Sequence, residues 1–322
     1  MVLIIINSYS ATIMVRFRTK FIVRLAIGII LVILLFFFVS PSAVIQSLQS
    51  INPIFLICAV LVYAVTFLIL TTRWRIIVAH LGGNIPLTEA YQAFAGGVLY
   101  SDFTPGRIGD FTRAILIKER IDIHKGTISV FIDRYIDIIV LTGLGITALV
   151  VYSSRFASIL PLFALIVLLV IFVSVTVLFL KNSWIFSVMQ KIPFFNIPEF
   201  ASHLQNAFLE FKNGKKVIAE GIILTLLAWV THALRIILIT MGLGYTLPLP
   251  DLFLILPLIS ALSLIPVTIA GLGLVEGGLM AVIAEYGVPL SAALSIAIID
   301  RGLTMFFHFA VGGRIAINNI LQ

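Results

Sequence analysis

One uncommon polar pattern occurs twice in this otherwise apolar chain. The first copy contains Arg75-Ile76-Ile77, Gly82, Pro86-Leu87, Glu89, Pro105, Gly106, Gly109, Asp110 and Ile132-Asp133-Arg134. The second copy contains Arg235-Ile236-Ile237, Gly242, Pro248-Leu249, Asp251, Pro266, Gly271, Gly273, Glu276 and Ile299-Asp300-Arg301. Four matched pairs are nearly equally spaced, with 235 − 75 = 160, 248 − 86 = 162, 266 − 105 = 161 and 300 − 133 = 167. In a membrane protein, a repeat that carries charge, glycine and proline together predicts a transport architecture.

The composition places the chain in a membrane. Hydrophobic residues make up 61% of the 322 residues and charged residues only 11%, whereas soluble domains carry about 25% charged residues. Apolar runs long enough to cross a bilayer recur along the chain. They lie at Phe21–Ser40, Pro53–Leu70, Thr127–Tyr152, Ser158–Leu180, Val217–Gly242 and Ser291–Gly312. The predicted fold class is therefore all-α, with residues 1–322 forming a single polytopic transmembrane domain.

Lysine and arginine are unevenly distributed among the loops. None occurs in Pro41–Asn52, Leu243–Pro250 or Glu285–Leu290, whereas five lysines lie between Lys181 and Lys216. Because cytoplasmic loops carry an excess of basic residues, this alternation predicts six spans with both termini in the cytoplasm. We therefore expect a protein integral to the cytoplasmic membrane, whose basic flanks contact anionic lipids at the cytoplasmic face.

Two further segments, Leu87–Arg120 and Pro250–Tyr286, must return to the side of the membrane from which they enter. Helical pieces of about 15 residues reach about 22 Å, which is short of the roughly 30 Å hydrocarbon core. We therefore predict six spans plus two re-entrant helical hairpins, and eight full spans are the alternative. The flexible breaks of the hairpins are predicted at Pro105, Gly106, Gly109, Pro266, Gly271 and Gly273.

The duplication divides the chain into two predicted repeat units, residues 54–152 and residues 217–313, each with a span, a hairpin and a span. Three crossings separate matched spans, so the two units run through the bilayer in opposite directions. This arrangement is an inverted repeat, and it predicts a site between the units near the middle of the membrane.

Ionisable side chains lie within the predicted spans, where each costs roughly 2.5–3.5 kcal/mol. From an entry near Thr127, Asp133 lies about 9 Å deep and Asp137 about 15 Å deep. Asp300 and Arg301 reach about 15 Å from the opposite side, which brings the two Asp-Arg pairs toward one depth. An ion-pair cluster that locks the units together is the alternative to a functional role. The predicted coupling or gating residues are Asp133, Asp137 and Asp300, and the predicted substrate-binding residues are Arg134 and Arg301.

Each hairpin carries its own charged candidates. Arg107, Asp110 and Arg113 follow the Pro105-Gly106 break. Free N–H groups at a helix N-terminus, together with two guanidinium groups, would bind phosphate; a solvated cytoplasmic turn is the alternative. Glu276 is the only charge between Leu252 and Ala284. It is a candidate for proton coupling or gating, and a neutral, hydrogen-bonded side chain is the alternative.

Other ligand classes have little support in the sequence. His80, His124 and His203 show no metal-ligand spacing, so we expect neither a metal nor another cofactor. The span histidines His232 and His308 are interpreted as packing residues. No feature beyond net positive charge favours nucleic acid as a partner.

Taken together, these motifs resemble the lysylphosphatidylglycerol synthase transmembrane family, which includes flippase-like and UPF0104-type proteins. The first signature comprises Arg73-Trp74-Arg75, the run from Phe103 to Arg113, and Asp133-Arg134; the second comprises Pro266 to Glu276 and Asp300-Arg301. The resemblance covers roughly Ile54 to Gly313. It implies a role in moving lipids between leaflets. Bifunctional members add a soluble aminoacyltransferase domain, and since the sequence stops at Gln322 without one, lipid aminoacylation is not expected.

The leading functional hypothesis is a flippase for an anionic or isoprenoid-linked lipid, whose membrane lipid substrate is its main partner. An ion-coupled transporter of a small soluble anion is the second hypothesis. A membrane-embedded enzyme that modifies lipid is the third, and it is disfavoured because no serine or cysteine stands with a plausible base. A homodimer is left open as the oligomeric state.

Overall fold

The computed structural model describes residues 21–104, 109–152, 214–265 and 267–320, and these form helices joined by short turns without any β-strand. This confirms the all-α prediction. The helices are α1 (Phe21–Phe38), α2 (Pro41–Gln49), α3 (Pro53–His80), α4 (Leu87–Asp102), α5 (Thr112–Leu116), α6 (Ile123–Val151), α7 (Lys215–Gly242), α8 (Leu249–Ala261), α9 (Leu274–Ala284) and α10 (Leu290–Ile320). Short 3₁₀ turns at Leu262–Leu264 and Ile269–Gly271 connect α8 to α9.

Five helices in the described residues are long and apolar enough to cross a membrane: α1, α3, α6, α7 and the Leu290–Gly313 part of α10. This confirms a polytopic integral membrane protein. The predicted span Ser158–Leu180 lies outside the described residues.

The helices α4 and α8 are too short to span. They contain 16 and 13 residues, which correspond to about 24 Å and about 20 Å. These lengths favour re-entrant hairpins over eight full spans. The returning piece of the first hairpin is nevertheless much shorter than the predicted 15 residues, because α5 contains only five. The chain then turns and enters α6 at Ile123.

Local caps set where the long helices begin. The Asn52 side chain accepts a hydrogen bond from the Ile54 N–H at 3.0 Å, and the Asp122 side chain accepts one from the His124 N–H at 2.9 Å. Such caps satisfy donors that the first helical turn leaves free. Because Asp122 caps α6, the helix starts at Ile123, four residues before the assumed entry at Thr127, and Asp133 lies ten residues into it (133 − 123 = 10). Asp300 lies equally far into α10 (300 − 290 = 10). Counted from the helix starts, the two aspartates therefore occupy matching positions.

The first helices of the two units, α3 and α7, pack against each other in opposite directions. The backbone N–H of Asn52, just before α3, donates to the carbonyl of Gly242 at the end of α7 at 2.9 Å. Near the middle, Thr66 donates to Thr231 at 2.8 Å. Toward the other end, Arg73 donates to Thr225 at 2.7 Å. Antiparallel packing of matched helices is the relation that an inverted repeat requires.

The units also exchange contacts. Helix α4 of the first unit packs against α10 of the second, and α8 of the second packs against α6 of the first. Helices α4 and α8 therefore each lie on the last long helix of the other unit. The surfaces between the units are formed by both halves of the chain, and the site lies there.

The turns after α3 and α7 correct the register of the repeat. Gly82 and Gly244 both have positive φ, 90° and 84°, and their N–H groups donate to Ala79 and Met241. Such left-handed glycines end helices, and the two ends match at an offset of 244 − 82 = 162. The same offset pairs Arg73 with Arg235 (235 − 73 = 162). Matching Arg75 to Arg235, as the Arg-Ile-Ile triplets indicated, was therefore wrong by two residues.

A disulfide cross-link tests the antiparallel packing. A Cβ added at Gly242 would lie 3.1 Å from the Cβ of Phe55, close to the Cβ separation of about 3.5–4.5 Å found in disulfides. With Cys58 replaced by serine, Phe55→Cys combined with Gly242→Cys should oxidise to an intramolecular disulfide, detectable by mass spectrometry of peptides. The control pairs Phe55→Cys with Lys216→Cys, which a parallel arrangement would bring together. A cross-link in the control pair alone would contradict the packing.

Candidate functional site

A cavity of about 330 Å³ lies between the two repeat units. Its wall combines aromatic and aliphatic side chains with an unusual number of charges. The charged residues that line it, together with two histidines, are Arg73, Asp102, Asp110, Arg134, Asp137, Arg235, Glu276, Asp300, Arg301, His232 and His308. All the long helices except α1 contribute to this wall, so the structure has a cavity between the two units with both charged and apolar side chains in its wall.

Matched ion pairs join the first and last helices within each unit. In the first unit, Arg73 on α3 donates from Nε to Asp133 Oδ1 on α6 at 2.8 Å. In the second unit, Arg235 on α7 donates to both carboxylate oxygens of Asp300 on α10, at 2.7 and 3.2 Å. Charge-assisted, bidentate pairs are the strongest hydrogen bonds available to these side chains. They offset the desolvation of the charges that they bury.

A second matched pair joins each last helix to the hairpin region. Arg134 Nη2 lies 3.1 Å from Asp110 Oδ2, and Arg301 forms an ion pair with Glu276. The aspartate of each Asp-Arg doublet thus pairs with the first helix, and the arginine pairs with the hairpin. The two predicted doublets are therefore brought to equivalent places in the cavity.

Arg113 belongs to the interior of the first unit. Its side chain is fully buried and its Nη1 donates to Asp133 Oδ2 at 3.0 Å. The guanidinium carbon lies 4.8 Å from the ring centre of Phe94 and 5.2 Å from that of Trp74. Burial over aromatic faces, in contact with a carboxylate, stabilises the cation where it is.

The geometry therefore differs from the predicted phosphate site. Arg113 does not lie at a solvated turn, because its side chain is fully buried and its Nη1 donates to Asp133. Asp110 is also buried. Arg107 lies outside the described residues.

Glu276 is not a lone carboxylate. It caps the start of α9 by accepting the Gly273 N–H at 2.6 Å, and its other oxygen pairs with Arg301 on α10. The prediction considered only charges near Glu276 in sequence, whereas its partner comes from the next long helix.

Three of the predicted flexible breaks fall in described residues. Gly271 and Gly273 have positive φ, 71° and 85°. A Cβ on Gly109 would overlap the Tyr100 backbone, and one on Gly273 would overlap the side chain of Leu31 on α1. These glycines therefore permit close contacts in the structure. Pro105, Gly106 and Pro266 lie outside the described residues.

The cavity arginines differ in how fully they are neutralised. Arg73 contacts both Asp133 and Asp137 and also donates to Thr225. Arg134 contacts Asp110 and Asp137.

In the second unit, Arg235 pairs with Asp300 alone among the described residues, and Arg301 pairs with Glu276 and donates to the Ala270 carbonyl. The buried Nη1 of Arg235 has no hydrogen-bond partner among the described residues, and the same holds for one nitrogen each of Arg73, Arg113 and Arg134. The arginines of the second unit are therefore distinguished by having fewer carboxylate partners.

Comparison with known proteins identifies the family. The family described as "Lysylphosphatidylglycerol synthase TM region" matches residues 21–312. The chain belongs to this family. This confirms the resemblance inferred from the Arg-Trp-Arg and Asp-Arg motifs.

Similar proteins occur in archaea. A UPF0104 membrane protein of Methanothermobacter thermautotrophicus is 21% identical over 313 residues, covering 90% of this chain and 93% of the relative. A UPF0104 membrane protein of Pyrococcus horikoshii is 21% identical over 319 residues, covering 91% and 95%. These family members match along almost their whole length, so the two repeat units are part of what they share.

Several cavity residues were not predicted as site residues. A repeat offset of 162 would have matched Arg73 with Arg235 and so pointed to both. Each of these arginines pairs with the aspartate of its own unit. Asp102 and His308, which contact each other, lie outside the repeated motifs, and no spacing in the sequence relates them.

Arg113→Ala tests the buried network of the first unit. The substitution removes a cation that touches Asp133 and two aromatic rings, so we expect the free energy of unfolding to fall by about 2–4 kcal/mol. The control, Arg120→Ala, breaks the exposed pair with Glu89 and should cost about 0–1 kcal/mol. Unfolding in mixed micelles measures both values, and equal losses would contradict a special role for Arg113.

Proposed function

We propose that this protein moves the phosphate-bearing head group of an anionic or isoprenoid-linked lipid between the leaflets of the membrane. The observation that carries the proposal is the arginine-lined cavity between two antiparallel repeat units. A charged head group cannot cross roughly 30 Å of hydrocarbon unaided, because desolvation of the charge is expensive. A lined cavity replaces the lost water with fixed polar groups.

The dimensions of the cavity support transport of the head group alone. Small-molecule sites commonly occupy about 300–1,000 Å³, and this cavity, at about 330 Å³, lies at the small end of that range. A phosphate with a small substituent fits such a volume, whereas long acyl or isoprenoid chains do not. The lipid tails therefore stay in the bilayer while the head group passes between the units.

Arg235 and Arg301 are the arginines best suited to bind the phosphate. Each is paired with one carboxylate, and Arg235 retains a donor on Nη1. Guanidinium groups bind phosphate oxygens in a bidentate way. When phosphate arrives, it competes with Asp300 and Glu276 for these arginines, so these two carboxylates act as a gate that the substrate displaces.

The family adds independent support for a lipid substrate. Its name refers to a synthase of lysylphosphatidylglycerol, a phospholipid, and the match to this chain concerns the transmembrane region. We propose transport without chemical change of the lipid. The UPF0104 relatives carry names that specify no substrate.

Arg235→Gln tests the proposal. Purified protein is reconstituted into vesicles containing acyl-labelled fluorescent phosphatidylglycerol or a fluorescent polyprenyl phosphate, and dithionite bleaching reports transfer between leaflets. Loss of a charge-assisted contact worth about 1.5–3 kcal/mol should slow translocation by about 10- to 100-fold. Arg120→Gln, which alters an exposed pair far from the cavity lining, is the matched control and should transport normally.

Further arms of the same experiment separate the alternatives. Vesicles loaded with free phosphate test a soluble anion as substrate, and release of that phosphate without lipid transfer would replace the flippase assignment. Equal transfer of a neutral diacylglycerol analogue would show that the arginines do not select the head group. A changed mass of the recovered lipid would indicate enzyme activity. Transfer no faster than in protein-free vesicles would refute the proposal.

A further inference from the structure

Three titratable side chains form a short hydrogen-bonded chain at one side of the cavity. His308 Nδ1 lies 2.5 Å from Asp102 Oδ2, and His308 Nε2 lies 2.5 Å from the Tyr63 hydroxyl. Tyr63 comes from α3, Asp102 from the end of α4 and His308 from α10. His308 is buried, so its protonation state depends on these neighbours.

Other charged and titratable groups surround these three side chains. From α7, the Arg235 guanidinium carbon lies 4.6 Å from the Tyr63 ring centre, and the His232 ring lies 6.3 Å from it. On α10 itself, Asp300 and Arg301 pair with Arg235 and with Glu276 of α9. Helix α2, which also packs on α10, contains no titratable side chain.

We propose that His308 is the proton-binding site that couples head-group movement to a proton gradient. This inference rests on the proposed lipid transport and specifies its energy source. Histidine is the side chain whose charge ordinarily changes near neutral pH. A proton at this position alters both the charge of the cavity and the direction of its hydrogen bonds.

The charge argument concerns the groups that line the cavity. Among the described residues the lining contains four arginines, five carboxylates and two histidines, so with His232 and His308 both neutral it carries one net negative charge. Protonation of His308 brings the lining to zero. Because a net negative cavity repels an anionic head group, the proton makes entry of the phosphate more favourable.

The hydrogen-bond argument concerns Tyr63. Neutral His308 donates from Nδ1 to Asp102 and accepts the Tyr63 hydroxyl proton at Nε2. Protonated His308 donates from both nitrogens, so Tyr63 becomes an acceptor and its O–H must donate elsewhere. Tyr63 stacks against Arg235, the arginine proposed to bind phosphate, so the proton acts one side chain away from the substrate.

Comparison of the two repeat units shows that the hydrogen-bonded group of Tyr63, Asp102 and His308 occurs on one side of the cavity and has no counterpart on the other. With the offsets established for the two units, the matching positions are Thr225 (63 + 162), Leu264 (102 + 162) and Leu141 (308 − 167). None of these titrates, although Thr225 and Leu141 also line the cavity. The ion pairs are duplicated, but the histidine and its two partners are not, which is expected of a specialised role.

The test measures lipid transfer with the same pH on both sides of the vesicle, across about pH 5 to pH 8. Wild-type transfer should fall about tenfold per pH unit above the midpoint, as a single proton requires. His308→Gln should abolish this dependence, whereas His80→Gln, at an exposed position at the end of α3, should preserve it. A wild-type slope in His308→Gln would overturn the proposal.

Proton binding is also measured without any lipid assay. In protein carrying ¹⁵N-labelled histidine, the NMR resonance that His308→Gln removes should titrate with one proton. If this resonance titrates but no lipid moves, the proposed function fails and the proton site stands. If it does not titrate, the proton site fails even if lipid moves.

Discussion

Pairing of buried charges is the constraint on which the rest of the structure depends. Arg73, Arg113 and Asp133 are almost completely buried, and an unpaired charge in such a place costs several kcal/mol. The chain meets this requirement by placing each acid on a helix that packs against the helix of its base. Because the partners in each unit lie on the first and last long helices, pairing brings together segments some 60 residues apart in sequence and fixes the rotation of each helix about its own axis.

Packing between helices of different units couples these ion pairs to the cavity. Helix α4 packs on α10 and α8 packs on α6, so neither unit can move without altering the other. The pair between His308 and Asp102 lies across the α4–α10 contact, while Arg235 and Asp300 lie within the second unit. In the proposed mechanism, a phosphate that displaces Asp300 from Arg235 loosens the second unit internally, and a proton on His308 strengthens the attachment of that unit to the first. Two such biased contacts are what a two-state transporter needs in order to link a substrate to an energy source.

The sequence predicted the parts of this architecture that depend on composition and local pattern. Apolar length located the long helices, and the recurring Asp-Arg doublets located half of the site. The alignment of the two repeat copies was wrong by two residues because the first Arg-Ile-Ile triplet begins at Arg75. Arg75 donates to the Ile85 carbonyl and forms no ion pair with a described residue, whereas Arg235 pairs with Asp300. The start of α6 was displaced because Asp122 caps the helix before its apolar run begins. The partners of His308 could not be found from spacing, since Tyr63 and Asp102 come from distant helices and follow no motif, whereas the partner of Glu276 is Arg301 of the repeated Asp-Arg doublet.

The ion pairs of the two units are not equivalent. The first unit gives Arg73 and Arg134 two carboxylate partners each and buries Arg113 against Asp133. The second unit pairs Arg235 with Asp300 alone among the described residues, and Arg235 lies against Tyr63 of the first unit. A transporter concentrates its substrate only when transport is coupled to an energy source, whatever its symmetry. In the proposed mechanism, substrate and proton therefore act at the Arg235 ion pair, because a phosphate that binds there displaces one carboxylate rather than two, and Tyr63 links this arginine to His308.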